Sequence, residues 1–162
     1  GHGLVFGGGR NGMMGASARG VQEKGGEIIG ISPAFFEENN AEISFKGCTE
    51  FITTETMRER KRLLDEMSDA FVVSPGGIGT FDEFFEILTL KQLGRHNKAI
   101  VIFNVNGCFD NMLKMMQVLV DQKFITEDCR ELYKVTNTIE ETLDYIECYN
   151  PKDYDLSKVK IR

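Results

Sequence analysis

The stretch Asp69-Ala70-Phe71-Val72-Val73, followed by Ser74-Pro75-Gly76-Gly77-Ile78-Gly79-Thr80-Phe81-Asp82-Glu83, places a glycine-rich turn directly between an apolar strand and a helix. Phe81 to Leu93 reads as that helix, entered through Thr80. Glycines at 76, 77 and 79 let the main chain approach an anion closely, and the free N–H groups and positive dipole end of the following helix face it. The architecture is that of a phosphate cradle. A glycine-rich turn alone is weak evidence, so the segments on either side carry the weight.

Moving outward, the chain alternates strand-like and helix-like segments. Leu4-Val5-Phe6 is a strand ending in Gly7-Gly8-Gly9, and Gly12 to Lys24 is a helix closed by Gly25-Gly26. Glu27 to Ile31 forms the next strand, followed by a longer loop containing Pro33 and Asn39-Asn40. Glu50 to Thr54 is a strand and Thr56 to Ser68 a helix. After the 69–93 strand and helix come a strand over 98–104, a helix over 110–122, a short strand over 133–136 and a helix over 138–149. Repeated βα units whose strands are continuously apolar, such as Ala99-Ile100-Val101-Ile102-Phe103, imply a parallel sheet covered on both faces. The expected fold is a Rossmann-like, doubly wound α/β domain.

Its 162 residues fit one domain over 1–162, with a polar tail from Asn150 to Arg162. A doubly wound sheet normally has one more central βα unit than this chain supplies, so the sequence reads as truncated at its N-terminus. A net charge of −6 argues against an extended nucleic-acid footprint. Inside that acidic background Arg58, Arg60, Lys61 and Arg62 form a basic island suited to small anions. The four cysteines, at 48, 108, 129 and 148, have no zinc spacing, and the only histidines are His2 and His96. A metal site and a Ser-His-Asp or Cys-His nucleophile are therefore not expected, and His96 receives no role. No apolar run approaches the roughly 20 residues that span a bilayer, and no signal-peptide pattern is present. The expectation is a cytoplasmic protein.

At about 100° per residue, Met57, Leu63, Leu64, Met67 and Ala70 share one arc, and Arg60 lies in its middle. Arg60 is thus expected to point inward and to meet an anion, either a structural carboxylate or a ligand. Lys61 lies at the edge of that arc, where a lysine commonly snorkels. Thr80-Phe81-Asp82-Glu83 reads as a T-x-x-E capping box, with Thr80 as the cap and Glu83 returning a bond. Glu83 and Glu86 also interrupt a helix that is apolar over most of its circumference, and carboxylates beside a phosphate cradle are candidates for acid/base work or cation stabilisation. Met112, Met115 and Met116 have helical spacing, which core packing or a partner surface would explain.

Met57-Arg58-Glu59-Arg60-Lys61 together with Pro75-Gly76-Gly77-Ile78-Gly79-Thr80-Phe81-Asp82-Glu83 resembles the paired MxxRK and PGGxGTxxE motifs of the Lonely Guy (LOG) family. These are cytokinin riboside 5′-monophosphate phosphoribohydrolases, long labelled lysine decarboxylases. The likeness extends through Gly3 to Gly9, Gly12-Met13-Met14-Gly15 and Leu88-Thr89-Leu90-Lys91-Gln92-Leu93-Gly94, and reaches about Ile146. It implies that the turn at Gly76, Gly77, Ile78, Gly79 and Thr80 holds a 5′-phosphate and that Arg60 and Glu83 are the catalytic residues. Glu42, Met57, Lys61, Thr89, Gly8 and Gly9 would complete the nucleotide site. It also implies N-glycosidic hydrolysis of an N6-substituted adenosine 5′-monophosphate, or of AMP itself, with no metal and no cofactor, in a homodimer. The family normally begins with an additional strand carrying a Cys-Gly-Ser turn, which this sequence lacks. Two other classes stay open: a non-catalytic nucleotide or cofactor carrier on the same fold, and a pyridoxal-phosphate decarboxylase. The latter would need a Schiff-base lysine and a pyridinium partner, and neither is recognisable.

Overall fold

The computed structural model describes residues 1–38 and 43–151. Its contacts group into two compact units, residues 1–68 and residues 69–162.

In the first unit, β1 (Leu4–Phe6), α1 (Gly12–Glu23), β2 (Ile28–Pro33), α2 (Ala34–Glu38), β3 (Glu50–Thr54) and α3 (Met57–Glu66) follow in order. The three strands form one parallel sheet in the order β1-β2-β3, with Val5 beside Ile29 and Ile31 beside Ile52. Phe6, Ala18, Ile28 and Phe45 form a buried cluster, with Leu4, Met14 and Val21 packed against it. The stop after α1 falls where the glycine pair places it: Gly25 takes φ +69°, and its N–H donates to the Gln22 carbonyl at 3.0 Å. Two boundaries differ from the sequence reading. The β2 strand runs on to Pro33, paired with Thr54, and the expected loop opens with the short α2. Proline is tolerated at the end of a strand because the ladder asks nothing further of its missing N–H. Asn39-Asn40 lies outside the described residues.

In the second unit, β4 (Ala70–Val73), α4 (Ile78–Gln92), β5 (Ala99–Phe103), α5 (Asp110–Asp121), β6 (Lys134–Thr136) and α6 (Ile139–Glu147) alternate. Again the sheet is parallel, in the order β4-β5-β6. Central β5 is buried from Ala99 to Ile102, which accounts for its unbroken apolar run. Its core is Val73, Phe84, Leu88, Ile100, Ile102, Phe109, Met112, Met116, Cys129, Leu132 and Tyr133. Met112 and Met116 are therefore interior, and Leu113 packs against the same cluster. Of the two explanations for the methionine spacing, core packing holds for Met112 and Met116; of the α5 methionines, Met115 is the exposed one. Two 3-10 turns, Val105–Gly107 and Glu127–Leu132, were not foreseen in the sequence. Parallel sheets flanked by helices, built from successive βα units, are the expected Rossmann-like α/β class.

Helix capping also departs from expectation. At α3 and α6 the T-x-x-E spelling does cap the helix, with the carboxylate reaching the N–H one residue before the cap. Thr56 Oγ1 accepts the Glu59 N–H at 3.1 Å while the Glu59 carboxylate accepts the Glu55 N–H at 3.0 Å. At α6, Thr138 accepts from Glu141 at 3.2 Å and Glu141 from Asn137 at 3.0 Å. The third match, Thr80 to Glu83, is not a box. The cap of α4 is Gly77, with no side-chain capping bond, so Thr80 sits in the first turn and Glu83 beyond it.

Candidate active site at the glycine turns

The turn from Ser74 to Gly77 leaves β4 at its carboxyl end and feeds α4 directly, the position at which α/β folds bind anions. The amides of Ile78 and Gly79 precede the helical ladder, while the Thr80 N–H donates to the Gly77 carbonyl at 3.1 Å. Each glycine here has a different reason. A Cβ on Gly76 would collide with the Thr80 hydroxyl, so that position keeps Thr80 seated over the turn. A Cβ on Gly77 or Gly79 would meet nothing within 4 Å, and neither residue needs a left-handed backbone. What these two glycines supply is bare access to the main chain.

Downstream, Phe84, Leu88 and Lys91 form the buried stripe of α4, while Glu83 and Glu86 are half-buried and Thr89 is exposed. A groove of about 500 Å³ runs along the outer face of this helix from Ile78 past Asp82, Phe85 and Glu86 to Thr89 and Leu90. Ile78 is 88% exposed and Leu93 52%. The helix is apolar nearly all round, as the sequence indicates, yet one face of it is uncovered.

In the first unit the basic island resolves by side. Arg58 and Arg62 face outward, Arg62 in an ion pair with Glu66 one turn on. Arg60 points inward and is 5% exposed. Its Nε donates to the Ile31 carbonyl of β2 at 3.1 Å, and its guanidinium fills the space where a Cβ on Gly7 would stand. Arg60 is thus anchored at the carboxyl ends of β1 and β2, the ligand-binding edge of a parallel sheet. Met57, the first residue of α3, and Lys61 are half-buried on the same helix. Gly8 and Gly9 are buried in the turn after β1. The Gly8 carbonyl accepts the Phe45 N–H at 2.8 Å, and Gly9 forms an antiparallel bridge with Ser44. Glu42 lies outside the described residues. Among the described residues no group of three or more His, Cys, Asp or Glu side chains could hold a metal ion, and no helix is long and apolar enough to cross a membrane.

A family model described as a possible lysine decarboxylase matches residues 14–146. Over 152 residues the chain is 36% identical to a cytokinin riboside 5′-monophosphate phosphoribohydrolase of Arabidopsis thaliana, covering 94% of this chain and 70% of that protein. The chain belongs to the LOG family. A LOG relative of the same name from Rhodococcoides fascians is 39% identical over 137 residues, with 85% of this chain and 69% of the relative covered. One from Mycobacterium tuberculosis is 36% identical over 140 residues, covering 86% and 74% respectively. Among solved structures, the molybdenum cofactor binding protein of Rippkaea orientalis matches with TM-score 0.64 at 19% identity, covering 90% of this chain and 76% of that one. The molybdenum cofactor carrier protein of Chlamydomonas reinhardtii matches with TM-score 0.63 at 19% identity, covering 90% and 75%. At that identity the likeness speaks to the shared fold.

Two polar residues of the LOG chain were passed over in the sequence. His96 uses both ring nitrogens: Nε2 donates to the Ile87 carbonyl at 2.8 Å, and Nδ1 accepts the Lys98 N–H at 3.2 Å. It therefore ties the C-terminal half of α4 to the residue that precedes β5. Lys91 is 1% exposed, on the stripe of Phe84 and Leu88. Its spacing, three residues past Leu88 and seven past Phe84, is the helical period that reveals its burial.

Proposed function

We propose that this chain is a phosphoribohydrolase that cleaves the N-glycosidic bond of an N6-substituted adenosine 5′-monophosphate, giving the free base and ribose 5-phosphate. The observation that carries this reading is the turn at the N-terminus of α4, where a Cβ on Gly77 or Gly79 would meet nothing within 4 Å, in a chain whose LOG relatives bear the name of that activity. The first-turn amides and the Thr80 hydroxyl receive the phosphate. As the base leaves with the electron pair of the C1′–N bond and takes up a proton, positive charge spreads over the ribose ring. The Glu83 carboxylate steadies that charge and orients the water whose oxygen joins C1′. Arg60, always cationic and held in place by the Ile31 carbonyl, presents its guanidinium charge to the phosphosugar. Met57, Lys61, Thr89, Gly8, Gly9 and Glu42 are assigned to the remainder of the nucleotide site. The four cysteines are free thiols, which suits a reducing cytoplasm.

Wild-type protein should therefore release base from the monophosphate far faster than from the matching nucleoside. Gly79→Ala sharpens the test. An alanine in the helix in place of glycine adds up to about 1 kcal/mol of stability. Its methyl group would project into the open space assigned to the phosphate. The expected result is a protein at least as stable as wild type whose KM for the monophosphate rises about tenfold or more, the equivalent of losing roughly one good hydrogen bond. Equal turnover of nucleoside and monophosphate contradicts the assignment.

The uncovered face of α4 supports a homodimer. A helix that is apolar all round is ordinarily buried, and Ile78, Phe85, Leu90 and Leu93 leave a strip that a second copy would cover. Sedimentation at micromolar concentration is expected to give a dimer for wild type and a shift towards monomer for Leu93→Glu. A monomeric wild type refutes the proposal.

A further inference from the structure

Lys91 is a buried ammonium group to which no catalytic or binding part has been assigned. Its Nζ donates to the Lys98 carbonyl at 2.7 Å and to the Tyr149 hydroxyl at 2.8 Å. The same nitrogen stands 4.9 Å from the centre of the Tyr149 ring. Tyr149, just past α6, donates a hydrogen bond from its own hydroxyl to Asn97 Oδ1 at 3.1 Å and packs against the ring of Tyr145. The chain of contacts thus runs from the C-terminal half of α4, through the turn into β5, to the end of α6.

We propose that Lys91, Tyr149 and Asn97 form a pH-sensitive clasp that seats the end of α6 on the turn between α4 and β5. Two physical facts make it responsive. Burial penalises the charged form of a lysine and lowers its affinity for protons, here to about 8 from the ordinary 10.5. The contacts to the Lys98 carbonyl and the Tyr149 hydroxyl are also ones that an uncharged amine, with two N–H groups, retains. Loss of the proton therefore relieves the desolvation cost and leaves both bonds in place. Since the folded value lies below the unfolded one, the unfolded chain binds more protons between about 8 and 10.5, and the fold gains stability as pH climbs through that window. Among the described residues, the titratable groups on the elements packed beside it include Tyr145, Glu147 and Tyr149 at the end of α6, Arg95, His96 and Lys98 in the turn to β5, and Glu127, Asp128, Cys129, Arg130 and Glu131 in the 3-10 turn packed on α4. Of these, Lys98 carries its own ammonium over the Phe71 ring, and His96 is held by Ile87 and Lys98. The clasp bears on the helix that carries Thr80, Glu83 and Thr89, so its protonation state bears on how firmly that helix is held.

The experiment compares unfolding of the full chain by denaturant, for wild type and Lys91→Met, across this pH range. Methionine keeps the length and apolar stem of the side chain and cannot ionise. The ratio of the wild-type unfolding constant to that of the variant should fall as pH rises above 8, by up to about tenfold per pH unit. Groups common to both proteins cancel in that ratio. Tyr149→Phe, which removes the acceptor that favours the ammonium form, should move the onset of the fall to lower pH. A ratio independent of pH, with both proteins folded, overturns the clasp. Should Lys91→Met fail to fold, the lysine 13Cε resonances of the wild-type protein decide: one titrating near 8 supports the proposal, and none titrating below the ordinary range overturns it.

Discussion

Replacing Glu83 by Gln is expected to lower kcat for base release by about 100-fold or more while leaving the thermal midpoint almost unchanged. The size follows from removing a carboxylate that opposes developing positive charge, an effect generally worth two to four orders of magnitude in rate. The preserved stability follows from the structure. Glu83 lies past the first turn of α4, whose cap is Gly77, so no capping bond is lost. Glutamine matches the glutamate in volume and is half-buried at the same place on the helix. Parallel measurements of kcat and of unfolding separate the two effects. A Glu83→Gln protein with near-normal turnover removes Glu83 from the chemistry.

Arg60→Lys should be comparably severe, again about 100-fold in kcat/KM, and should also cost stability. Lysine has no equivalent of the Nε that donates to the Ile31 carbonyl at 3.1 Å, and leaving that buried acceptor unpaired costs about 1–3 kcal/mol. A point charge on a flexible stem cannot reproduce the planar fork that can engage an anion in two places. Gly7→Ala offers the complementary perturbation. It retains the arginine but forces its guanidinium aside, because the new methyl group needs the space that Arg60 occupies. It is expected to reproduce much of the loss. If both variants turn over substrate normally, Arg60 is a structural residue fastening α3 to the sheet.

Why some of this was legible in the sequence and some was not has physical reasons. The βα order was readable because parallel strands are covered on both faces and so carry unbroken apolar runs, as in Ala99 to Phe103, while the helices carry a period of 3.6. The same period turned Arg60 inward, and the structure agrees. Local pattern failed where two explanations shared one spelling. Thr56-x-x-Glu59, Thr138-x-x-Glu141 and Thr80-x-x-Glu83 read alike, yet in the third the glycine turn starts the helix early and takes the cap. Met112 and Met116 were ambiguous between core and partner surface, because helical spacing says which residues share a face and not what lies against it. The uncovered strip of α4 was hidden for the same reason. Lys91 was missed because charge is ordinarily taken as a mark of the surface, although its spacing from Phe84 and Leu88 placed it inside.

The most direct measurement is of the products formed from N6-isopentenyladenosine 5′-monophosphate in water enriched with heavy oxygen, using the protein of 162 residues. The account predicts free base and ribose 5-phosphate in equal amounts, with the label at C1 of the sugar, and about 100-fold less of each product, or lower still, from the Glu83→Gln protein on the same timescale. Nucleotide that binds and is recovered intact would contradict it and would make this LOG-family chain a nucleotide carrier.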